Sequence, residues 1–129
     1  MYTTQLSVFV ENKFGRLSEI LNVLSEHDVN ISALSMADTS EFGILRMIVD
    51  DTEKASKVLK ESGVIVKATP VIAIDIDDTP GGLAKIVERL KNGGVSIEYT
   101  YAFLGREHNS AQVVLRVDDT AKAEQLLKA

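Results

Sequence analysis

Two asparagines and a glycine are the residues here whose types and spacing best suit ligand chemistry. Asn12 stands in the run Asn12-Lys13-Phe14-Gly15-Arg16-Leu17, directly before a stretch with helical apolar spacing, and Asn30 follows that stretch. The first backbone N–H groups of a helix lack intrahelical acceptors, and the dipole there favours an anion. A glycine at that point lets a ligand approach the backbone, because no side chain intervenes. A carboxamide donates and accepts hydrogen bonds, so Asn12 can serve a ligand donor or a ligand acceptor. Each residue also has a plainer reading. Asn12 can close a turn on its own backbone, Gly15 can answer to loop geometry alone, and Asn30 can sit on a solvated sheet face.

Residues for bond-breaking chemistry are scarce. The chain has two histidines, His27 at a helix end and His108 in a polar loop, neither with a partner at metal-ligand spacing. No nucleophile triad order, phosphate loop or HExxH run occurs. Asp50-Asp51 and Asp118-Asp119 look like paired carboxylates, but each pair precedes a threonine at a helix start, where capping accounts for it. Cysteine is absent, which removes disulfides, thiol nucleophiles and cysteine-held metals. The expectation is a protein without catalytic residues, metal or cofactor.

Composition narrows the partners. The 129 residues carry a net charge of −5 and no basic cluster, so nucleic acid is not expected as a partner. Hydrophobic residues make up 45% of the chain, which suits a folded core rather than disorder. No apolar run is long enough to span a bilayer and no signal peptide is visible, so a cytoplasmic protein with no membrane partner is expected.

The elements that must position these residues come in two copies. Gly15-Arg16-Leu17-Ser18-Glu19-Ile20 is echoed by Gly81-Gly82-Leu83-Ala84-Lys85-Ile86 at a spacing of 66 residues. The same spacing joins Leu24 to Leu90, Val29 to Val95 and Ile31 to Ile97. Val49-Asp50-Asp51-Thr52 then matches Val117-Asp118-Asp119-Thr120 at a spacing of 68. The extra residues fall in the polar segment Gly105-Arg106-Glu107-His108-Asn109-Ser110, a hairpin loop. Leu6, Val8 and Val10, like Ile72, Ile74 and Ile76, alternate as a half-buried strand does. Leu17, Ile20, Leu21 and Leu24, like Leu83, Ile86, Val87 and Leu90, recur at helical spacing. Thr79-Pro80 reads as N-cap and first turn of the second copy's helix, and Gly93-Gly94 as its end.

Strands are expected at residues 29–35 and 95–101, a turn at 39–43, and strands at 44–49 and 111–117. Asp51-Thr52 and Asp119-Thr120 cap further helices, and a fourth strand spans 64–68 before Pro70 punctuates the junction. The fold class is α+β: two ferredoxin-like βαββαβ units in tandem, antiparallel sheets with helices on one face. The domains are residues 1–70 and 71–129, packed as one body across almost no linker. The second lacks a last strand, so its sheet edge is open or covered, or the natural chain continues.

The loop motifs resemble the ACT domain. Glu11-Asn12-Lys13-Phe14-Gly15-Arg16-Leu17 with Val29-Asn30-Ile31 carries the resemblance in the first copy, and Asp78-Thr79-Pro80-Gly81-Gly82-Leu83 with Gly94-Val95-Ser96-Ile97 in the second. Pro80-Gly81 keeps the family's Pro-Gly, Phe14 replaces the proline in the first copy, and only the first copy has both asparagines. ACT domains bind amino acids or related effectors, often between paired domains. The resemblance therefore implies a stand-alone regulatory protein that binds a free amino acid, forms a homodimer and acts on a partner enzyme of amino-acid metabolism. A ligand-free interaction module is the alternative.

Resemblance to serine-binding members places Asn12 and Asn30 against the ligand, Asn30 on a second strand expected to neighbour the first. Lys13, Phe14, Gly15, Arg16 and Leu17 complete the first loop, and Asp78, Pro80, Gly81 and Gly82 the second. Asp78 and Thr79 also read as helix caps. Leu34, Ser35 and Met36 are further candidates, with Leu34 and Met36 placed by parity on the helix-free face alongside Ile44, Arg46 and Ile48. Tyr99 and Tyr101, with Phe103, continue the parity of Val95 and Ile97. They are either core or an aromatic wall for a ligand.

Overall fold

The structure, a computed structural model, describes residues 2–38, 41–105 and 110–128. His108 and most of its loop, like part of the turn at 39–43, lie outside the described residues. The chain divides into an N-terminal unit, Thr4–Thr69, and a C-terminal unit, Pro70–Ala129 together with Met1–Thr3.

In the N-terminal unit, β1 (Tyr2–Glu11), α1 (Arg16–Glu26), β2 (Ile31–Asp38), β3 (Phe42–Val49) and α2 (Thr52–Glu61) lead into β4 (Val66–Asp77). The strand order is β2-β3-β1-β4. Leu6, Val8 and Val10 pair in register with Met47, Leu45 and Gly43. Paired residues share a face, and this face meets Ile20 and Leu24 of α1 and Ala55, Val58 and Leu59 of α2 in one buried core. Truncating a fully buried member such as Leu45 to alanine costs about 2–5 kcal/mol.

The C-terminal unit repeats the scheme with α3 (Gly82–Asn92), β5 (Ile97–Ala102), β6 (Ser110–Val117) and α4 (Thr120–Lys128). Its strands run β4-β6-β5, and Ile72, Leu90, Leu115, Val117, Ala123 and Leu127 form its core. On the free side of β4, Tyr2 and Thr3 of β1 stand where a fourth strand belongs. The Tyr2 hydroxyl donates to Thr120 Oγ1 at 2.7 Å.

Four expectations are corrected. Pro70 lies inside the continuous strand β4 rather than between two strands, since extended backbone accepts proline where no N–H is required. Strand β2 does not neighbour β1, because β3 lies between them. Third, α3 starts after Gly81, not at Thr79-Pro80, because Gly81 takes the left-handed conformation (φ 86°) as N-cap. Fourth, β2 and β5 each carry a bulge. Ile31 pairs with Val49, but Ala33 already pairs with Ile48. Likewise Ile97 pairs with Val117, but Tyr99 with Arg116. Two residues advance against one, so parity flips. Leu34 and Met36 therefore pair with the core strand positions Met47 and Leu45, on the helix-bearing face. Tyr99 and Tyr101 fall on the helix-free face with Arg116 and Val114.

Each bulge begins beside the same clamp. Asn30 N donates to Asp50 Oδ1 at 3.0 Å while Asp50 N donates to the Asn30 carbonyl at 3.1 Å. Ser96 and Asp118 repeat both bonds at 3.0 and 3.1 Å. The neighbouring aspartates do cap: Asp51 accepts from Lys54 N, and Asp119 from Lys122 N, each at 3.0 Å.

After α1 and α3 the chain turns through left-handed backbone, at Asp28 (φ 60°) in one unit and Gly94 (φ 80°) in the other. A Cβ there crowds the following carbonyl. Gly94→Ala should lose about 1 kcal/mol and Asp28→Gly should gain a few tenths or more, read as opposite shifts of the urea midpoint.

Candidate functional site

The β1–α1 loop holds the first group of candidates together. Gly15 is the N-cap of α1 at φ 79°, and no side chain caps the helix. Its counterpart Gly81 before α3 has φ 86° and again no side-chain cap. A left-handed N-cap needs glycine, and glycine has no oxygen to offer the helix. The helices α2 and α4, by contrast, have aspartate caps. Donors at the start of α1 and α3 are thus the ones without a side-chain acceptor.

Around Gly15 the charges are paired. Lys13 Nζ lies 2.9 Å from Glu11 Oε2, and Arg16 Nη1 lies 2.8 Å from Glu19 Oε2. The Lys13 hydrogen bond, then its charge, hold the Glu11 carboxyl below the ordinary glutamate range. Asn12 N donates to the Glu41 carbonyl at 3.1 Å, tying the loop to the start of β3. Phe14 projects fully into solvent, at 107% relative exposure, and Leu17 is partly exposed beside it.

The second loop differs in its packing. Any side chain on Gly82 would collide with the Asp77 carbonyl oxygen, so Gly82 has a structural reason to be glycine. Gly15 and Gly81 meet no such neighbour and are constrained by φ alone. Pro80 precedes the Gly81 cap, in the position Phe14 holds in the first loop, and Asp78 begins the turn after β4.

Asn30 is not with Asn12. Glu11, next to Asn12, pairs with Phe42 at one end of β3, while Ile31, next to Asn30, pairs with Val49 at the other. Seven strand steps separate those ends, roughly 23 Å. Asn30 instead borders a hollow of about 360 Å³ between the end of α1 and the start of β2, with Leu21, Ser25 and Asp28. A matching hollow of about 350 Å³ in the C-terminal unit is lined by Val87, Lys91, Gly94 and Ser96. Sequence reasoning missed Leu21, Ser25 and Asp28. The 66-residue spacing links them to Val87, Lys91 and Gly94, and that was the available signal.

The remaining candidates scatter. Ser35 pairs with Arg46 on the helix-free face of the N-terminal unit. The Met36 methyl occupies the space a side chain on Gly43 would need, across the sheet's other face. Tyr99 and Tyr101 stack with ring centroids 6.5 Å apart on β5, and Arg116 donates to the Pro70 carbonyl at 3.0 Å. Among the described residues no cluster of three metal-ligating side chains forms. No helix among the described residues is long and apolar enough to cross a membrane.

Two α/β-paired units, each opening a helix through a glycine after its first strand, define an ACT architecture. The sequence profile of the ACT domain pair matches residues 1–128, and the chain belongs to that family. Protein BT0572 of Bacteroides thetaiotaomicron is 44% identical, with a TM-score of 0.93, over 99% of this chain and 88% of that one. The regulatory subunits of aspartate kinase from Thermus thermophilus and Thermus flavus share the fold, each with a TM-score of 0.70. They are 14% and 16% identical over 99% of this chain and 91% and 92% of theirs. No curated protein matches the sequence.

The Glu11–Lys13 pair yields a pH prediction. A carboxyl with a depressed folded-state pKa favours the fold while ionised, and that contribution is lost as pH falls through the depressed value. In an NMR titration Glu11 should titrate below ordinary glutamate, and Lys13→Ala should move it back up.

Proposed function

We propose that this ACT domain pair is a regulatory sensor that binds a free amino acid at the β1–α1 loop and has no catalytic activity of its own. The observation that carries the reading is the contrast between helix starts. Donors are left without a side-chain cap after Gly15 and Gly81, while aspartates cap α2 and α4. The ligand carboxylate meets the donors beyond Arg16, whose own N–H donates to the Lys13 carbonyl at 3.2 Å, and the Asn12 amide takes the ammonium through its carbonyl oxygen. Asp78 holds the equivalent place in the second loop, where its charge repels a carboxylate, so the first loop is the stronger site.

A ligand of amino-acid size cannot span the distance from Asn12 to Asn30 within one unit. For both to touch it, the hollow bordered by Asn30 must come from a second copy of the chain. That makes the sensor a homodimer, with ligand favouring one arrangement of the paired chains and a partner enzyme of amino-acid metabolism reading it. The regulatory subunits with the same fold support this reading by analogy.

The fully exposed Phe14 favours a second reading, a ligand-free module that holds an oligomer or a partner enzyme by an apolar contact.

Thermal melting against the twenty amino acids separates the two. A ligand at 100 times its dissociation constant adds about 2.7 kcal/mol to stability, and Asn12→Ala should remove the shift. No shift with any amino acid, alongside a dimer that Phe14→Ala dissociates, would replace the sensor with the module.

A further inference from the structure

We propose that the N-terminal unit carries a small-molecule site apart from the loop, a hollow under α2 that takes a small aromatic carboxylic acid. The hollow is an open groove of about 510 Å³, within the size range of ligand pockets. Leu6 of β1 and Ala68 of β4 line it with apolar surface. One side of α2 supplies the polar wall: Thr52 and Ser56 offer hydroxyls, and Lys57 and Lys60 stand one turn apart. Neither lysine is in an ion pair among the described residues. The one carboxylate on the wall, Glu53, leaves a net positive charge, which selects an anion.

The internal repeat identifies the occupant. Thr120 is the counterpart of Thr52, and each is the first residue of its helix after an aspartate cap. In the C-terminal unit the strand beside β4 brings Tyr2 to that helix, and its phenol donates to Thr120 Oγ1. The N-terminal unit has β4 in the corresponding place, and the residue it presents to the hollow is Ala68. One unit lays its own half-exposed aromatic side chain at this position, and the other puts a methyl group there. A ring lying over Ala68, with Leu6 buried at the floor, reproduces the Tyr2 contact, with a ring hydroxyl reaching Thr52. A carboxylate on the same ring then meets the ammonium groups of Lys57 and Lys60. The same two charges disfavour a ligand amine, so this site and the loop select different molecules.

The test is calorimetric titration and amide chemical-shift mapping of the full chain with 4-hydroxyphenylacetate. Saturable binding of one molecule per chain, with shifts at Thr52, Ser56 and Ala68, is expected. Ala68→Tyr should fill the hollow and abolish binding, and Lys57→Gln with Lys60→Gln should weaken it by about tenfold or more. Asn12→Ala should leave it unchanged, so failure of the loop reading would not count against this one. The lysine variants change exposed side chains and keep the test decisive if Ala68→Tyr does not fold. Absence of saturation, shifts confined to residues outside the hollow, or full affinity in the double lysine variant would overturn the proposal.

Discussion

The reversal between the first strand and first helix of each unit is the constraint on which the rest depends. The chain must leave the sheet and return across it within a few residues, and it does so through a left-handed N-cap at Gly15 and Gly81. Only glycine adopts that backbone without strain, and glycine cannot cap. One steric requirement therefore produces the turn, frees the backbone for close approach and leaves helix donors without a side-chain acceptor. The capped starts of α2 and α4 show that the sequence supplies aspartate where the backbone permits it.

The same backbone, used twice, has been given different side chains. The clamps at Asp50 and Asp118 and the bulges behind them recur bond for bond. What differs is chemistry at equivalent positions: Asn12 against Asp78, Phe14 against Pro80, and Asn30 against Ser96. Packing holds the shared features in place, because a change at a clamp or bulge would shift a strand relative to its core. Loop and hollow residues carry no such burden and have diverged. Gly82 is the instructive exception, because its neighbour Asp77 leaves no room for the arginine tolerated at position 16.

Much of this architecture was legible in the sequence, and what was not has physical causes. Strand alternation in Leu6, Val8 and Val10 and helical spacing in Leu17, Ile20 and Leu24 are local signals, and both elements form as read. The ACT motifs located both loops. The strand order was missed because pairing is non-local and nothing in β2 specifies which strand lies beside it. The bulges were missed because Ile31-Ser32-Ala33 and Ile97-Glu98-Tyr99 contain no glycine or proline to mark them. One extra residue then moved every later side chain to the opposite face, taking Leu34 and Met36 to the helix side and Tyr99 and Tyr101 away from it. The N-cap of α3 was misread because Thr79-Pro80 fits a standard helix start, and only the φ of Gly81 distinguishes the two.

Strand order also changes how the two asparagines can cooperate. Had β2 lain beside β1, Asn12 and Asn30 could have been read as one pocket within one unit. With β3 between the strands, Asn12 and Asn30 of the N-terminal unit stand at its opposite ends. A half-site with donors and one amide offers a small zwitterion few contacts, whereas two half-sites from different chains can enclose it. Under the proposed dimeric reading, ligand binding is linked to association, because only pairing would complete the pocket. A sensor built this way needs no moving lid: the equilibrium between arrangements of the chains is itself the switch.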